Sequence, residues 1–186
     1  MSIFKSQWVI LKIKKLESKN NLYNIFTSDY WKIICNKKIS NREKTLDLGY
    51  LIDFEIEVKK WVNIFNIKNI KILSEFESIW KSYSIINLFL ETLNIVLKKL
   101  PEKLINLELF NTLKDFIKYN NLTWSKIILT QLKILNILGI LNLEHKNLTI
   151  KKILFFIHKN KIENILKLVG INDELENELK NIVKKY

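Results

Sequence analysis

SQWVILKIKKLESKNNLYNIFTSDYWKIICNKKISNREK, residues 6–44, is the stretch that decides the fold class. Apolar and polar side chains alternate in 8–14 and again in 22–27, which is the period of half-buried β-strands. A short polar turn then leads into a third apolar run at 32–35. Ten of the first 44 residues are Lys or Arg and three are acidic, so this strand-rich segment is also basic.

Two further strands are predicted after this stretch. Residues 50–58 alternate apolar with acidic side chains, and residues 68–73 form a fifth short run. Five short strands within about 70 residues, with a basic link between the third and the fourth, favour a small closed OB-like barrel over a sandwich.

The spacing of apolar residues changes to three and four after the fifth strand, which indicates helices. Phe76, Ile79 and Trp80 begin an apolar stripe that continues to Leu100. Pro101 predicts the start of the next helix, because proline fits the first helical position.

Capping residues predict where later helices begin. Thr123 is the predicted N-cap of the third helix and Thr149 of the fourth, and Asn172 or Asp173 is predicted to cap the last helix. The chain is therefore predicted to be an α+β protein. A five-stranded OB-like nucleic-acid-binding domain at 1–75 would be followed by an all-α helical domain at 76–186.

The charge of the chain is strongly positive, with a formal net charge of +12 and a pI near 9.6. Thirty of the 31 basic residues are Lys, as an AT-rich coding sequence would produce, so their position carries more information than their number. Residues 45–75 contain four basic and five acidic side chains. The basic excess is therefore local to the first 44 residues, with a more diffuse excess in the helical part, and it predicts a polyanionic partner.

An OB-like barrel binds single strands through a basic groove and through exposed aromatic rings on which bases stack. We expect such a groove in the N-terminal module, with two aromatic residues on the turn after the second strand. The candidate nucleic-acid-binding residues are Lys12, Lys14, Lys15, Lys19, Tyr30, Trp31, Lys32, Lys37, Lys38, Arg42 and Lys44. Tyr23, Phe26 and Phe54 are expected in the barrel core instead.

No catalytic site, metal or cofactor is expected. Cys35 is the one cysteine, and its apolar strand predicts a buried, unreactive thiol. His145 and His158 lack a partnering acidic cluster, and neither a phosphate-binding loop nor a nucleophile motif is present. We therefore predict a protein that is not an enzyme.

Asp53, Glu55 and Glu57 lie two residues apart and would share one face of the fourth strand. An exposed acidic face is the expected explanation, and a two-metal nuclease site is the alternative.

The sequence predicts neither secretion nor membrane insertion. The apolar run near the N-terminus is too short for a signal peptide, and the most apolar helix, at 127–141, is interrupted by Gln131, Lys133 and Asn136. A cytoplasmic location is expected.

Seven short segments follow one another in the order of a known family. They are residues 9–12, 22–27, 30–33, 90–93, 101–102, 109–113 and 132–139. In this order they resemble the DNA repair and recombination mediator family RecO, which has an "FTxxxGKI"-like turn after the second strand and "LFxLL" and "LLxxLG" helices. The resemblance extends over about 6–141.

The resemblance implies a function and a set of partners. It implies a DNA-binding, strand-annealing mediator of the RecF pathway that acts on single- and double-stranded DNA in DNA damage repair. RecR and the single-strand-binding protein would be its partners, and RecA would be loaded indirectly.

Two departures from the family pattern restrict what can be carried over. Many members have a four-cysteine zinc site after the helix at 132–139, and this chain has no cysteine there, so zinc is not expected. Trp8, Trp31 and Trp61 stand where the family has small residues. Some of these positions are hypothesised to be UGA codons, which are read as Trp or as Gly depending on the genetic code, with genuine Trp or simple drift as the alternative.

Two other functions stay open. In one, the barrel is a structural cap and the helices form a protein-binding adaptor with an apolar groove within 76–141. In the other, the ligand of the barrel is RNA, because OB-like modules bind both nucleic acids.

Overall fold

The computed structural model describes most of the chain. The described residues are 2–16, 20–38, 44–58, 64–75 and 82–186. Phe76, Ile79, Trp80 and Trp61, to which the sequence assigned roles above, lie outside them.

The chain divides into two compact units. The first comprises Met1–Phe76 and Leu100–Lys118, and the second comprises Glu77–Lys99 and Tyr119–Tyr186. This division differs from the predicted 1–75 and 76–186 in one segment, because residues 100–118 group with the strands.

Five strands close into a barrel in the first unit, which confirms the predicted α+β class with an N-terminal barrel. They are β1 (Ser2–Lys15), β2 (Asn20–Thr27), β3 (Ile33–Lys38), β4 (Leu51–Val58) and β5 (Ile64–Ser74). Their order around the barrel is β1-β2-β3-β5-β4, and β4 pairs back onto β1. Neighbours are antiparallel except β3 and β5, which are parallel.

β1 is long enough to pair with two strands. Its first half pairs with β4 and its second half with β2. A β-bulge at Leu11 shifts the alternation of side chains, so that Trp8 and Ile10 face the interior before it and Ile13 faces the interior after it. The two lysines beside Ile13 therefore face outwards.

The barrel interior is filled by apolar side chains from all five strands. Trp8 is fully buried there and stacks on Phe54 with 4.4 Å between ring centroids. Tyr23 and Phe54 lie in this core as predicted. The Trp8 indole Nε1 is buried without a hydrogen-bond partner among the described residues.

Six helices occur in the described residues. They are α1 (Tyr83–Lys99), α2 (Leu107–Lys118), α3 (Trp124–Ile137), α4 (Leu148–Lys159), α5 (Ile162–Ile165) and α6 (Asp173–Val183). None of them is long and apolar enough to cross a membrane.

α2 belongs to the barrel unit. Its Phe110 meets Phe26 of β2 edge to face, with 5.9 Å between ring centroids. Phe26 is buried, but it alternates with the inward Ile25 and lies outside the cluster that fills the barrel, so its predicted place in the barrel core is wrong.

The predicted helix start at Pro101 is wrong. Lys103 has a left-handed backbone conformation (φ 62°), so no helix runs through it from Pro101. The Asn106 side chain accepts a hydrogen bond from the Leu109 amide, and α2 begins at the next residue, Leu107.

α3 is the centre of the second unit. Residues 127–135 are buried without interruption, and α1, α4, α5 and α6 all pack against this helix. Thr123 caps α3 and Asn172 caps α6, as predicted. The predicted cap Thr149 is wrong, because Asn147 caps α4 and its side chain accepts hydrogen bonds from the Thr149 and Ile150 amides.

Candidate nucleic-acid interface

The outward side chains of β1, β2 and β3 form one continuous surface, which we call the lysine face. Ile13, Tyr23 and Cys35 are cross-strand neighbours that point into the core, so the positions on either side of them point outwards. The lysine face consists of Lys12, Lys14, Asn20, Leu22, Asn24, Ile34, Asn36 and Lys38.

The lysines of this face have uncharged neighbours across the sheet. Lys12 pairs with Asn24, Lys14 pairs with Leu22, and Lys38 pairs with Asn20. All three lysines are exposed. Because no carboxylate occupies the paired positions, their positive charges add to one another on the surface.

The edge of the lysine face next to β5 is partly apolar. Ile34 is 40% exposed, and its neighbour in the parallel pairing with β5, Ile64, is 44% exposed. The next pair is Asn36 and Asn66. Positive charge on β1 and at the end of β3 thus flanks a strip of amides and aliphatic side chains.

Lys15 and Lys37 lie on the other side of the sheet, at one end of the barrel. Both are paired with Asn21, so the three residues share the inward side of their strands. Asn21 is buried, and its side-chain Nδ2 donates a hydrogen bond to the Tyr23 hydroxyl at 3.1 Å. These two lysines therefore border the lysine face at the mouth of the barrel and do not lie within it.

Tyr30, Trp31 and Lys32 lie at the opposite end of β2. Thr27 follows Asn21 by six positions along the strand, which places this turn about 20 Å from the mouth. The turn therefore does not belong to the lysine face, although sequence reasoning placed these residues in one cluster.

The aromatic rings of that turn pack on the barrel. Tyr30 stacks on Trp8 with 6.3 Å between ring centroids, and Trp31 meets Tyr30 edge to face at 6.4 Å. Both rings are half-buried against the core, so they stabilise the end of the barrel. Burial lowers the pKa of the half-buried Lys32, and the carboxylate of Glu102 partly opposes that shift.

Lys44 is paired with an acidic residue. Its Nζ contacts the Glu75 carboxylate, which also accepts from the Tyr50 hydroxyl at 3.3 Å. The hydrogen bond to Glu75 raises the pKa of Lys44. Lys44 therefore contributes little net charge to the surface. Lys19 and Arg42, the two remaining candidates, lie outside the described residues.

A second outward surface of the barrel also carries three lysines, and we call it the paired face. It consists of Lys5, Gln7, Asp53, Glu55, Lys68 and Lys71. Asp53 and Glu55 project from the same side of β4, as predicted. Glu55 lies between Lys5 and Lys68, and Asp53 lies between Gln7 and Lys71.

Charge on the paired face is compensated locally. Lys5 Nζ lies 2.9 Å from Glu55 Oε1, and Asn69 donates to Glu55 Oε2 at 2.6 Å. These hydrogen bonds, that from Lys5 first, lower the pKa of Glu55. A cleft of about 550 Å³ borders this face, and Asp29 lines it together with the two carboxylates. No group of three or more potential ligands that could hold a metal ion occurs in the described part of the chain, so the nuclease alternative gains no support.

Cys35 lies in the barrel core, as the sequence indicated. It is fully buried, and burial raises the pKa of its thiol strongly. The thiol therefore stays protonated and inaccessible.

Sequence reasoning missed the neutral part of the interface. Asn24, Ile34 and Ile64 were not among the candidates, because amides and isoleucines carry no sign of a nucleic-acid site by themselves. The alternation of Ile33, Ile34 and Cys35 gave a partial signal, since one of two adjacent isoleucines in a strand must face away from the core.

No protein-family model matches the chain, and no curated protein sequence matches it.

Proposed function

We propose that this protein binds DNA through the lysine face without base specificity and anneals complementary strands, as a mediator of recombination and DNA repair. The observation that carries the proposal is the register of β1, β2 and β3. It places three exposed lysines on one outward surface and places only uncharged residues opposite them.

The dimensions of the lysine face suit one nucleic-acid strand. β1 and β3 are two strand spacings apart, which is about 10 Å. Lys12 and Lys14 on one side and Lys38 on the other can contact phosphates, while Asn24 and Leu22 on β2 between them meet sugars or base edges. Phosphate contacts position a strand and carry no sequence information.

The kind of apolar residue on this face favours annealing. Ile34 and Leu22 are aliphatic, and no aromatic side chain is among the eight residues of the lysine face. Stacking on an aromatic ring holds a base at about 1–3 kcal/mol. A strand that is held mainly by its phosphates keeps its bases available, and neutralised phosphates repel the complementary strand less.

The partners follow from the resemblance of 6–141 to the RecO family. We extend the proposal to RecR and the single-strand-binding protein as partners, with indirect help in loading RecA. Single- and double-stranded DNA are the proposed ligands, and no cofactor or catalytic residue is part of the proposal.

Fluorescence polarisation with a labelled single strand tests the proposal. The binding affinity should fall as the salt concentration rises from about 50 to 200 mM. A plot of log affinity against log salt concentration should have a slope of about −2 or steeper for three lysine contacts. Adding the complement should give faster annealing than the strands show alone. An unlabelled RNA competitor of the same sequence measures the preference for DNA. Binding that does not change with salt would contradict the proposal.

Protein binding by the helices is the second candidate function. The exposed side chains of Leu148 and Phe155, seven residues apart on α4, favour it. A barrel that serves only as a cap would have an even charge distribution, and the difference between its two faces counts against that alternative.

A further inference from the structure

A cleft of about 510 Å³ lies within the helical unit. α1 and α6 both pack against α3, and the cleft is lined by residues of all three helices. The α1 side includes Tyr83, Asn87, Glu91, Asn94 and Lys98, whose spacing of three and four places them along one line of the helix. This line is about 22 Å long at 1.5 Å per residue.

The cleft is basic on both sides. Lys98 and Lys99 line it from α1, and Lys180 and Lys184 line it from the end of α6. Glu91 is the one carboxylate among the described lining residues. The lysines therefore produce a positive potential along the cleft, which favours a ligand with several negative charges.

Two aromatic rings lie at one end of this cleft. The Trp124 indole is fixed, because its Nε1 donates to the Ser84 hydroxyl at 3.2 Å and Lys180 Nζ lies 4.2 Å from its ring centroid. Tyr83, the residue before Ser84 and the first of α1, is 78% exposed. A fixed ring, an exposed ring and a row of lysines are the components of a site for single-stranded nucleic acid.

We propose that this cleft is a second binding site for a single strand of nucleic acid. A base stacks on Tyr83, and the phosphates of the following nucleotides contact Lys98, Lys99 and Lys184. The positive charges are spread along the cleft, which suits a chain with one charge per unit. The lining includes an aromatic ring that is 78% exposed, which favours bases over the acidic side chains of a peptide.

The site goes beyond the proposed role of the barrel and does not depend on it, because the two sites lie in different units. One consequence rests on both sites. A chain that holds one strand on each unit brings two strands together, so annealing can occur on a single molecule.

The test counts bound strands on the full chain. Native mass spectrometry and titration calorimetry with a thymidine oligonucleotide of about eight nucleotides should show two strands per chain at low salt. The variant Lys98→Gln/Lys99→Gln/Lys184→Gln should bind one. The variant Lys12→Gln/Lys14→Gln/Lys38→Gln should also bind one, and the combination should bind none. Lys152→Gln/Lys159→Gln/Lys167→Gln, with the same charge change on exposed lysines elsewhere in the unit, should still bind two.

A substitution of the exposed ring separates a stacking site from charge alone. Tyr83→Ala should weaken the site that remains in the Lys12/Lys14/Lys38 variant by at least about fivefold, the loss expected for one base stack. A merely basic surface would show no change.

Three results would overturn the inference. The first is that the Lys98/Lys99/Lys184 variant still binds two strands, and the second is that Tyr83→Ala does not change the affinity. The third is that the same lysine variant loses binding of poly-glutamate while it still binds two oligonucleotides. The last result would identify a peptide site. Failure of the proposed function gives a different pattern, in which the cleft variants lose binding and the Lys12/Lys14/Lys38 variant does not.

Discussion

The lysine face and the paired face carry three lysines each, but the residues opposite them differ. Lys12, Lys14 and Lys38 face amides and an aliphatic side chain, whereas the lysines of the paired face lie beside Asp53 and Glu55. The two surfaces therefore have the same number of positive side chains and different net charge. The register of the strands, and not the count of lysines, determines where a polyanion can bind.

The largest effect is expected from a substitution that destabilises the barrel core, because the lysine face and the paired face both depend on that core. Trp8→Gly should lower the free energy of unfolding by about 3–5 kcal/mol, as the loss of a fully buried aromatic side chain does. Urea denaturation measures the change. Trp31→Gly, at the half-buried end of the barrel, is the control and should cost less.

The same experiment tests the recoding hypothesis. If the natural residue at position 8 is Gly, the glycine form should be at least as stable as the Trp form. A UGG codon at this position would exclude the hypothesis independently.

A smaller effect should convert the paired face into a binding surface. Asp53→Asn/Glu55→Gln removes two negative charges from the surface that carries Lys5, Lys68 and Lys71, and affinity for a single strand should rise about tenfold at low salt. Glu163→Gln/Glu174→Gln makes the same change in net charge at exposed sites of the other unit, and polarisation should show little change. Equal gains in the two variants would mean that net charge alone controls binding.

The smallest effect is on acid stability at the edge of the paired face. Hydrogen bonds from Ser6 and then Ser28 lower the pKa of Asp29 below its ordinary value of 3.8. A carboxyl group whose pKa is lowered in the folded state stabilises the protein at pH values above its ordinary pKa. This stabilisation is lost as the pH falls through the folded-state pKa.

Ser6→Ala/Ser28→Ala should therefore be less stable than the parent at about pH 6 and approach it below about pH 3. Denaturation midpoints across this range measure the difference. In an Asp29→Asn background the two serine substitutions should change stability by the same amount at every pH in this interval, and a constant gap between the serine variant and the parent would refute the assignment.

Much of the barrel could be predicted from alternation, because burial on one face of a strand fixes the period of two. The OB-like class and the core positions Tyr23 and Phe54 came from that pattern, whereas Phe26 is buried on the outer side of β2 against α2. The parallel pairing of β3 with β5 could not be predicted, because it joins residues about 30 positions apart and no local pattern indicates which strand pairs with which. The association of α2 with the barrel depends on Phe110 meeting Phe26, which is also a long-range contact.

The candidate site was predicted only in part, for the same reason. Lys12, Lys14 and Lys38 came from charge in the sequence. The positions of Tyr30 and Trp31 depended on how their turn folds, and the structure packs them against Trp8. Lys44 has Glu75 as its partner, 31 residues away, and no local pattern indicates that pair.

The difference between the two faces can be measured with two triple variants of equal charge. Lys12→Gln/Lys14→Gln/Lys38→Gln should lose affinity for a single strand on the order of 100-fold at about 50 mM salt, and its salt slope should become shallower by about 2. Lys5→Gln/Lys68→Gln/Lys71→Gln should keep both the affinity and the slope within about a factor of three of the parent, because Asp53 and Glu55 lie beside these lysines and offset much of their charge. Equal losses in the two variants would contradict the assignment of the nucleic-acid site to the lysine face.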